Sequence, residues 1–323
     1  MRLLIAGIPR SGTTWVAETL ARVPGAVYVH EPDNRAVDRF AGVAKRGLGV
    51  FGFHPVVSPG ERADTYGVLW DLAFRGGWPE QPVVARLRRL AESSPPRLHV
   101  AGLTTLARAA ARVPQRAEHV VVKSVHSSLS LEWVAARSGA TVVLVRRPVP
   151  EIVASWQERG WVGYPLEQVP EVRRRWLEPL GLPPRPAGSG LADVAWTVAV
   201  LDVIVARTAA AHSDWVVVEH VDLCQAPAQR FRELFARVGM PWDDAVERFV
   251  AESDRPGTGF ATQRVASQER DKWLRRLTTE EVATVRAVCD EVATAAAQHT
   301  GDAGGRAAPT IAGRDAASPA VRG

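Results

Sequence analysis

Four short stretches with apolar interiors set the frame of this chain. Residues 3–6, 119–123, 140–145 and 214–219 carry Leu, Ile and Val at successive rather than alternate positions, the pattern of strands buried on both faces. A shorter run at 26–29 reads as a further strand that enters the polar turn His30-Glu31-Pro32-Asp33-Asn34. Between these runs the period changes. Trp15, Val16, Ala17, Leu20 and Ala21 fall at helical spacing, with Ser11 to Thr14 as capping residues and Pro24-Gly25 as the stop, which predicts a helix over 13–22. Helices are likewise predicted over 129–137, 151–159, 227–238 and from Thr279 onward, and a minor strand over 99–102 followed by a helix over 106–112.

Strands alternating with helices predict an α/β fold, a parallel sheet covered by helices on both faces. One domain over residues 1–301 is expected. Residues 35–97 have no clean period and read as helices and loops layered over the sheet. The 160–190 stretch, with Trp161, Tyr164, Trp176 and a proline-rich run, reads as an insertion too irregular for core, covering a site or forming its lid. Residues 302–323 are Gly, Ala, Arg, Ser and Pro with few large apolar side chains, the composition of a disordered tail. In parallel sheets ligands bind beyond the carboxyl ends of the strands. The loops after Gly7, Lys123 and Val145 are therefore expected to meet in one crevice.

Composition narrows the class. The 323 residues are 46% hydrophobic and 23% charged, ordinary for a globular protein. No apolar run approaches the roughly 20 residues of a membrane span, and no signal-peptide pattern is read at the start, so a cytoplasmic protein is expected. Two cysteines, Cys224 and Cys289, are too few for a disulfide framework. The net charge is +5, and only Lys45, Lys123 and Lys272 among forty basic residues are lysines. A mildly basic surface suits an anionic nucleotide. No nucleic-acid module accompanies it, and no metal-ligand spacing or Gly-x-Ser-x-Gly elbow is found.

The candidate chemistry starts at Gly7-Ile8-Pro9-Arg10-Ser11-Gly12-Thr13-Thr14-Trp15. Strand, glycine-rich loop and helix start make an anion site, because unpaired backbone N–H groups and the positive end of the helix dipole point at one place. Gly7, Gly12 and Thr14 keep the frame of the ATP and GTP loop, yet position 13 is Thr rather than Lys, and the loop's cation is Arg10. Pro9 through Trp15 resembles, without a gap, the 5′-phosphosulfate loop of sulfotransferases that use 3′-phosphoadenosine 5′-phosphosulfate (PAPS). That resemblance implies that Arg10 and the amides of Ser11, Gly12, Thr13 and Thr14 hold the phosphosulfate, and that Trp15 stacks on adenine.

Two further segments resemble the same family, each one residue longer than its pattern. Arg146-Arg147-Pro148 through Ser155 is similar to the 3′-phosphate site, with Arg146 and Ser155 the favoured pair and Arg147 the second choice. Lys123-Ser124-Val125-His126 is similar to the family's Lys-Thr-His, which implies His126 as the base and Lys123 as the stabiliser of the leaving oxygen. His30-Glu31 is a rival base, since some family members use a glutamate, and Asp33 and Asn34 would then contact the acceptor. Asp222 is expected to cap the helix that follows it, and Arg264 sits where the family brings a basic loop back onto the nucleotide.

The resemblance implies in-line transfer of a sulfuryl group from PAPS to a hydroxyl or amine of a small-molecule, sugar or lipid-linked acceptor, leaving 3′-phosphoadenosine 5′-phosphate (PAP), without a metal. Two alternatives stay beside it: a nucleotide-dependent kinase and a non-catalytic PAP-binding protein. The acceptor and the oligomeric state are not legible from the residues.

Overall fold

A computed structural model describes residues 1–51, 54–113, 117–188, 190–253 and 272–299. Arg264 and the 302–323 stretch lie outside the described residues. Along the chain come β1 (Arg2–Ala6), α1 (Thr13–Leu20), β2 (Ala26–His30), α2 (Arg39–Ala44), β3 (Gly49–Phe51), β4 (His54–Val56), α3 (Asp64–Ala73), α4 (Pro82–Glu92) and α5 (Pro96–Ala110). Then follow β5 (His119–Ser124), α6 (Leu131–Ser138), β6 (Thr141–Arg146), α7 (Val149–Gln157), the short α8 (Pro170–Val172) with a π-helical turn at Arg173–Leu177, and α9 (Leu191–Ala210). The last are β7 (Val216–Glu219), α10 (His220–Gln225), α11 (Pro227–Val238), α12 (Asp244–Ser253) and α13 (Thr279–Gln298).

Five strands form one parallel sheet in the order β2-β5-β1-β6-β7, and β3 and β4 pair as a separate antiparallel hairpin. The sheet order puts β1 at the centre, so its carboxyl end is flanked by those of β5 and β6. Successive apolar positions are buried because both faces are covered. Leu4, Val122 and Leu144 face one layer with α3, α7 and α9, while Leu3, Ile5, Val121 and Val143 face the other with α1 and α11.

Three expectations are corrected. Residues 99–102 are helical, inside α5, because Pro96 at the helix start and Leu103, Ala107 and Ala110 on its buried side give the whole segment a helical period. Asp222 lies within α10 rather than capping the next helix: α11 begins after Ala226 without a side-chain cap. The 160–190 stretch contributes to the core, since Leu166, Val172, Trp176 and Leu177 are buried while Trp161 is 38% exposed. Its irregular period follows from the π turn, which shifts the buried face by one residue. Two helices, α9 and α12, had no counterpart in the sequence reading. Helix α9 is apolar nearly all round and packs between α7 and α13, so no amphipathic stripe announces it.

Candidate active site

The loop after β1 holds an unusual backbone. Arg10 has φ 79°, one of two non-glycine residues with positive φ among the described residues, and Gly12 has φ 94°. Such a conformation costs on the order of 1 kcal/mol for a side chain with a Cβ and is kept where the surroundings enforce it. Here they do. The Nε of Arg10 donates to the hydroxyl of Ser155 at 3.0 Å, Nη1 of Arg147 donates to the Arg10 carbonyl at 3.3 Å, and the Trp156 indole donates to the Pro9 carbonyl at 2.9 Å. A side chain at position 7 would come within 2.5 Å of both the Ser11 hydroxyl and the Val145 carbonyl, and one at position 12 would strike the His220 ring. Both glycines are required by close approach.

Helix α1 starts at this loop without a side-chain cap, contrary to the expectation from Ser11 to Thr14; its N-cap is Gly12. The Ser11 hydroxyl is buried and makes no hydrogen bond among the described residues. Uncapped N–H groups, an unsatisfied hydroxyl and a tethered guanidinium together fit an anion. Trp15 lies at the first turn of α1. Its ring packs edge-on against Phe231 at 4.9 Å, its N–H donates to Ser253 at 2.8 Å, and it is 9% exposed. The indole belongs to the core beneath the loop.

Beside the loop, on β6 and α7, the two arginines separate. Arg146 turns toward Asp202 of α9, at 2.7 Å, and Glu219 at the end of β7, at 3.3 Å. Asp202 and Glu219 thus engage its guanidinium, while the Ser155 hydroxyl accepts from Arg10. Arg147 points toward the loop instead, with Nε on the buried Glu151 at 2.6 Å. Ser155 is therefore shared with Arg10, and Arg147 is the arginine on the loop's side.

On the other flank, β5 and β2 run side by side with Lys123 opposite His30, and the Glu31 N–H donates to the Lys123 carbonyl at 2.8 Å. Glu31, the second non-glycine residue with positive φ at 44°, forms a buried ion pair with Lys123, and its other oxygen accepts from Asn34 at 2.6 Å. Burial works to raise the Glu31 pKa, but Lys123 and Asn34 outweigh it and hold the carboxyl below its ordinary value. Asp33 is fully buried and accepts from Ser124 at 2.8 Å, so it organises the turn rather than reaching an acceptor.

His126 lies just past this turn and is buried, its pKa lowered first by desolvation. Its ring stands edge-on to His54 at 5.8 Å, and His54 is edge-on to Tyr164 at 5.7 Å. His54 is inaccessible and desolvation pulls its pKa well below the ordinary value. His54, Lys45 and Tyr66 join the Glu31–Asp33–His126 cluster electrostatically. The sequence reading missed all three, because they come from the aperiodic 35–97 region and only tertiary packing delivers them. Among the described residues no group of three or more His, Cys, Asp or Glu side chains is placed to hold a metal ion, and no helix is long and apolar enough to cross a membrane.

No protein-family model matches this chain, and no curated protein does. Solved structures with a related course of chain include a sulfotransferase domain from the curacin biosynthetic pathway, 10% identical, covering 90% of this chain and 96% of its own, with a TM-score of 0.42. The sulfotransferase STF1 from Mycobacterium tuberculosis is 14% identical over 84% of this chain and 76% of its own, at TM-score 0.38. Mouse sulfotransferase SULT7A1, complexed with PAP, is 9% identical over 89% of this chain and 81% of its own, also at 0.38.

Proposed function

We propose that this chain is a PAPS-dependent sulfotransferase, and the observation that carries the reading is Arg10. A phosphate loop with no lysine at position 13 presents its cation from a strained backbone position, tethered to Ser155 on the neighbouring helix. That arrangement ties the residues assigned to the 5′-phosphosulfate and to the 3′-phosphate into one unit. The amides of Gly12 to Thr14, the Ser11 hydroxyl and Arg10 would hold the phosphosulfate, the Ser11 N–H being donated to the Ile8 carbonyl at 3.0 Å within the loop, and Ser155 with Arg147 would take the 3′-phosphate. Arg146, engaged by Asp202 and Glu219, is better suited to fixing the end of β6.

In the transfer, the acceptor oxygen forms a bond to sulfur as the bond from sulfur to the bridging phosphate oxygen breaks. The acceptor proton goes to a base, and charge builds on the leaving phosphate. Lys123, on the strand beside β1, and Arg10, in the loop itself, would oppose that charge with preorganised donors, the usual source of a large share of rate enhancement. We assign the base to Glu31: it is ionised beside Lys123, at the end of β2 with β5 between it and the strand that carries the loop, and its backbone strain marks a position held for function. His126, neutral through its lowered pKa, is the second candidate. The acceptor is a hydroxyl- or amine-bearing small molecule.

The reading is tested by incubating the protein with sulfur-labelled PAPS and an acceptor panel, alongside Arg10→Ala. Wild type should transfer label and bind PAP, and Arg10→Ala should lose transfer while keeping its circular dichroism. Undiminished turnover in Arg10→Ala removes the phosphosulfate assignment.

A further inference from the structure

At the opposite end of the sheet lies a cavity of about 420 Å³ lined by Arg2, Arg75, Arg108, Arg112 and Arg137, with Val68, Trp70, Phe74 and Ala111 between them. Its one acidic lining residue is Asp71. Arg2 opens β1 and Ser138 closes α6, so the cavity faces the amino ends of the strands, a strand's length or roughly 15 Å from the phosphate loop.

The arginines fall into two kinds. Arg2 donates to the Ser138 carbonyl at 3.0 Å, and Arg137 engages Asp71 through both Nε, at 3.0 Å, and Nη2, at 2.6 Å. These two are built into the wall. Arg75, Arg108 and Arg112 are exposed and make no ion pair or side-chain hydrogen bond among the described residues. Arg108 and Arg112 are four residues apart where α5 ends, a spacing at which like charges repel.

Helix ends account for part of this charge. Helices α3, α5 and α6 all terminate at the cavity, and each carboxyl end carries about half a negative charge. Three helix ends and Asp71 leave roughly +2.5 of the five guanidinium charges uncompensated. The volume lies in the range of small-molecule sites, while Trp70 and Phe74, stacked at 6.1 Å behind the wall, are buried and leave the guanidinium groups as the accessible lining. Guanidinium forks match the geometry of phosphate groups.

We propose that this cavity is a second anion site, distinct from the catalytic crevice, which takes a small ligand carrying two or more phosphate groups. Arg75, Arg108 and Arg112 grip the phosphates, and Arg2 and Arg137 fix the wall. Bare pyrophosphate and a nucleoside diphosphate share that chemistry, and the test separates them.

Calorimetric titration of Arg10→Ala, whose crevice is weakened, with pyrophosphate and with ADP at low salt should show saturable binding at one site. Tighter binding of ADP means that the cavity also engages the nucleoside; equal binding assigns recognition to the phosphates. Adding Arg108→Glu and Arg112→Glu should weaken binding at least tenfold. The same pair in the wild-type background should leave sulfuryl transfer unchanged, and circular dichroism with the milder Arg108→Gln controls for folding. Absence of saturable binding to Arg10→Ala, or binding that the charge reversals do not weaken, overturns the proposal.

Discussion

The indole N–H of Trp156 donates to the carbonyl of Pro9 at 2.9 Å, and the residue before it, Ser155, accepts from the residue after Pro9, Arg10, at 3.0 Å. Helix α7 thus grips the phosphate loop at two consecutive positions on each side. Trp156 is fully buried, so replacing it leaves a carbonyl without its donor. Trp156→Phe should cost about 1–3 kcal/mol of stability. It should also weaken PAP binding, because the loop loses one of its two tethers to α7. Urea denaturation and PAP titration check both, and an unchanged affinity would separate the tether from the site.

Arg10 offers a test of strain apart from charge. Arg10→Ala and Arg10→Gly remove the same guanidinium, but only glycine adopts φ 79° without penalty. Both variants should lose transfer equally, while Arg10→Gly should be the more stable by about 1 kcal/mol, read from denaturation midpoints. Equal stabilities would mean that the strain is not stored at this residue.

The Glu31–Lys123 pair is buried, with side-chain exposures of 12% and 4%. Removing either partner strands a charge, so Glu31→Gln and Lys123→Met should each cost about 3–5 kcal/mol. The double variant should recover part of that loss. A double-mutant cycle in urea reads the coupling, and strictly additive losses would contradict the pair.

The identity of the base is decided by comparing turnover. Glu31→Gln should lower it by ~10²–10⁴, and His126→Gln should lower it by much less. The reverse order moves proton removal to His126, which its lowered pKa keeps in the accepting form.

Three buried histidines make stability depend on pH. His54, His126 and His220 all have lowered pKa values, and His220 is pushed down to about 3 by burial and then by Arg147. Unfolded histidine titrates near 6.5, so below that pH the unfolded chain binds protons that the native one refuses. The stabilisation is complete above about pH 6.5 and is lost as pH falls toward 3. From His220 alone the loss at pH 5 is about 2 kcal/mol. Urea midpoints at pH 7.5 and 5.0 should fall accordingly, with a smaller fall for His220→Phe.

The strands of the central sheet were legible because burial on both faces writes itself as unbroken Val and Leu, as in 120–122 and 142–145. The course of the loop was legible because Gly7 and Gly12 mark its turns between strand and helix. The burial of Trp15 follows from its helical spacing with Val16 and Leu20, which packs the indole in the layer of α1 and α11. The direction in which Arg146 turns was not legible, since it depends on Asp202, which lies 56 residues away on a helix the pattern did not reveal. His54 and Lys45 left no local signal at all.

The sheet order also arranges charge along one edge. Reading across β2, β5, β1, β6 and β7, the strand ends and the loops that follow them present Glu31, Lys123, Arg10, Arg146 and Glu219. Cations occupy the middle and a carboxylate stands at each margin. An anionic donor seated at the centre is fenced on both sides and cannot drift sideways along the edge. On the proposed function, an acidic acceptor approaching from the Glu31 side would meet repulsion, and the edge would favour neutral or cationic acceptors before any pocket contact is made.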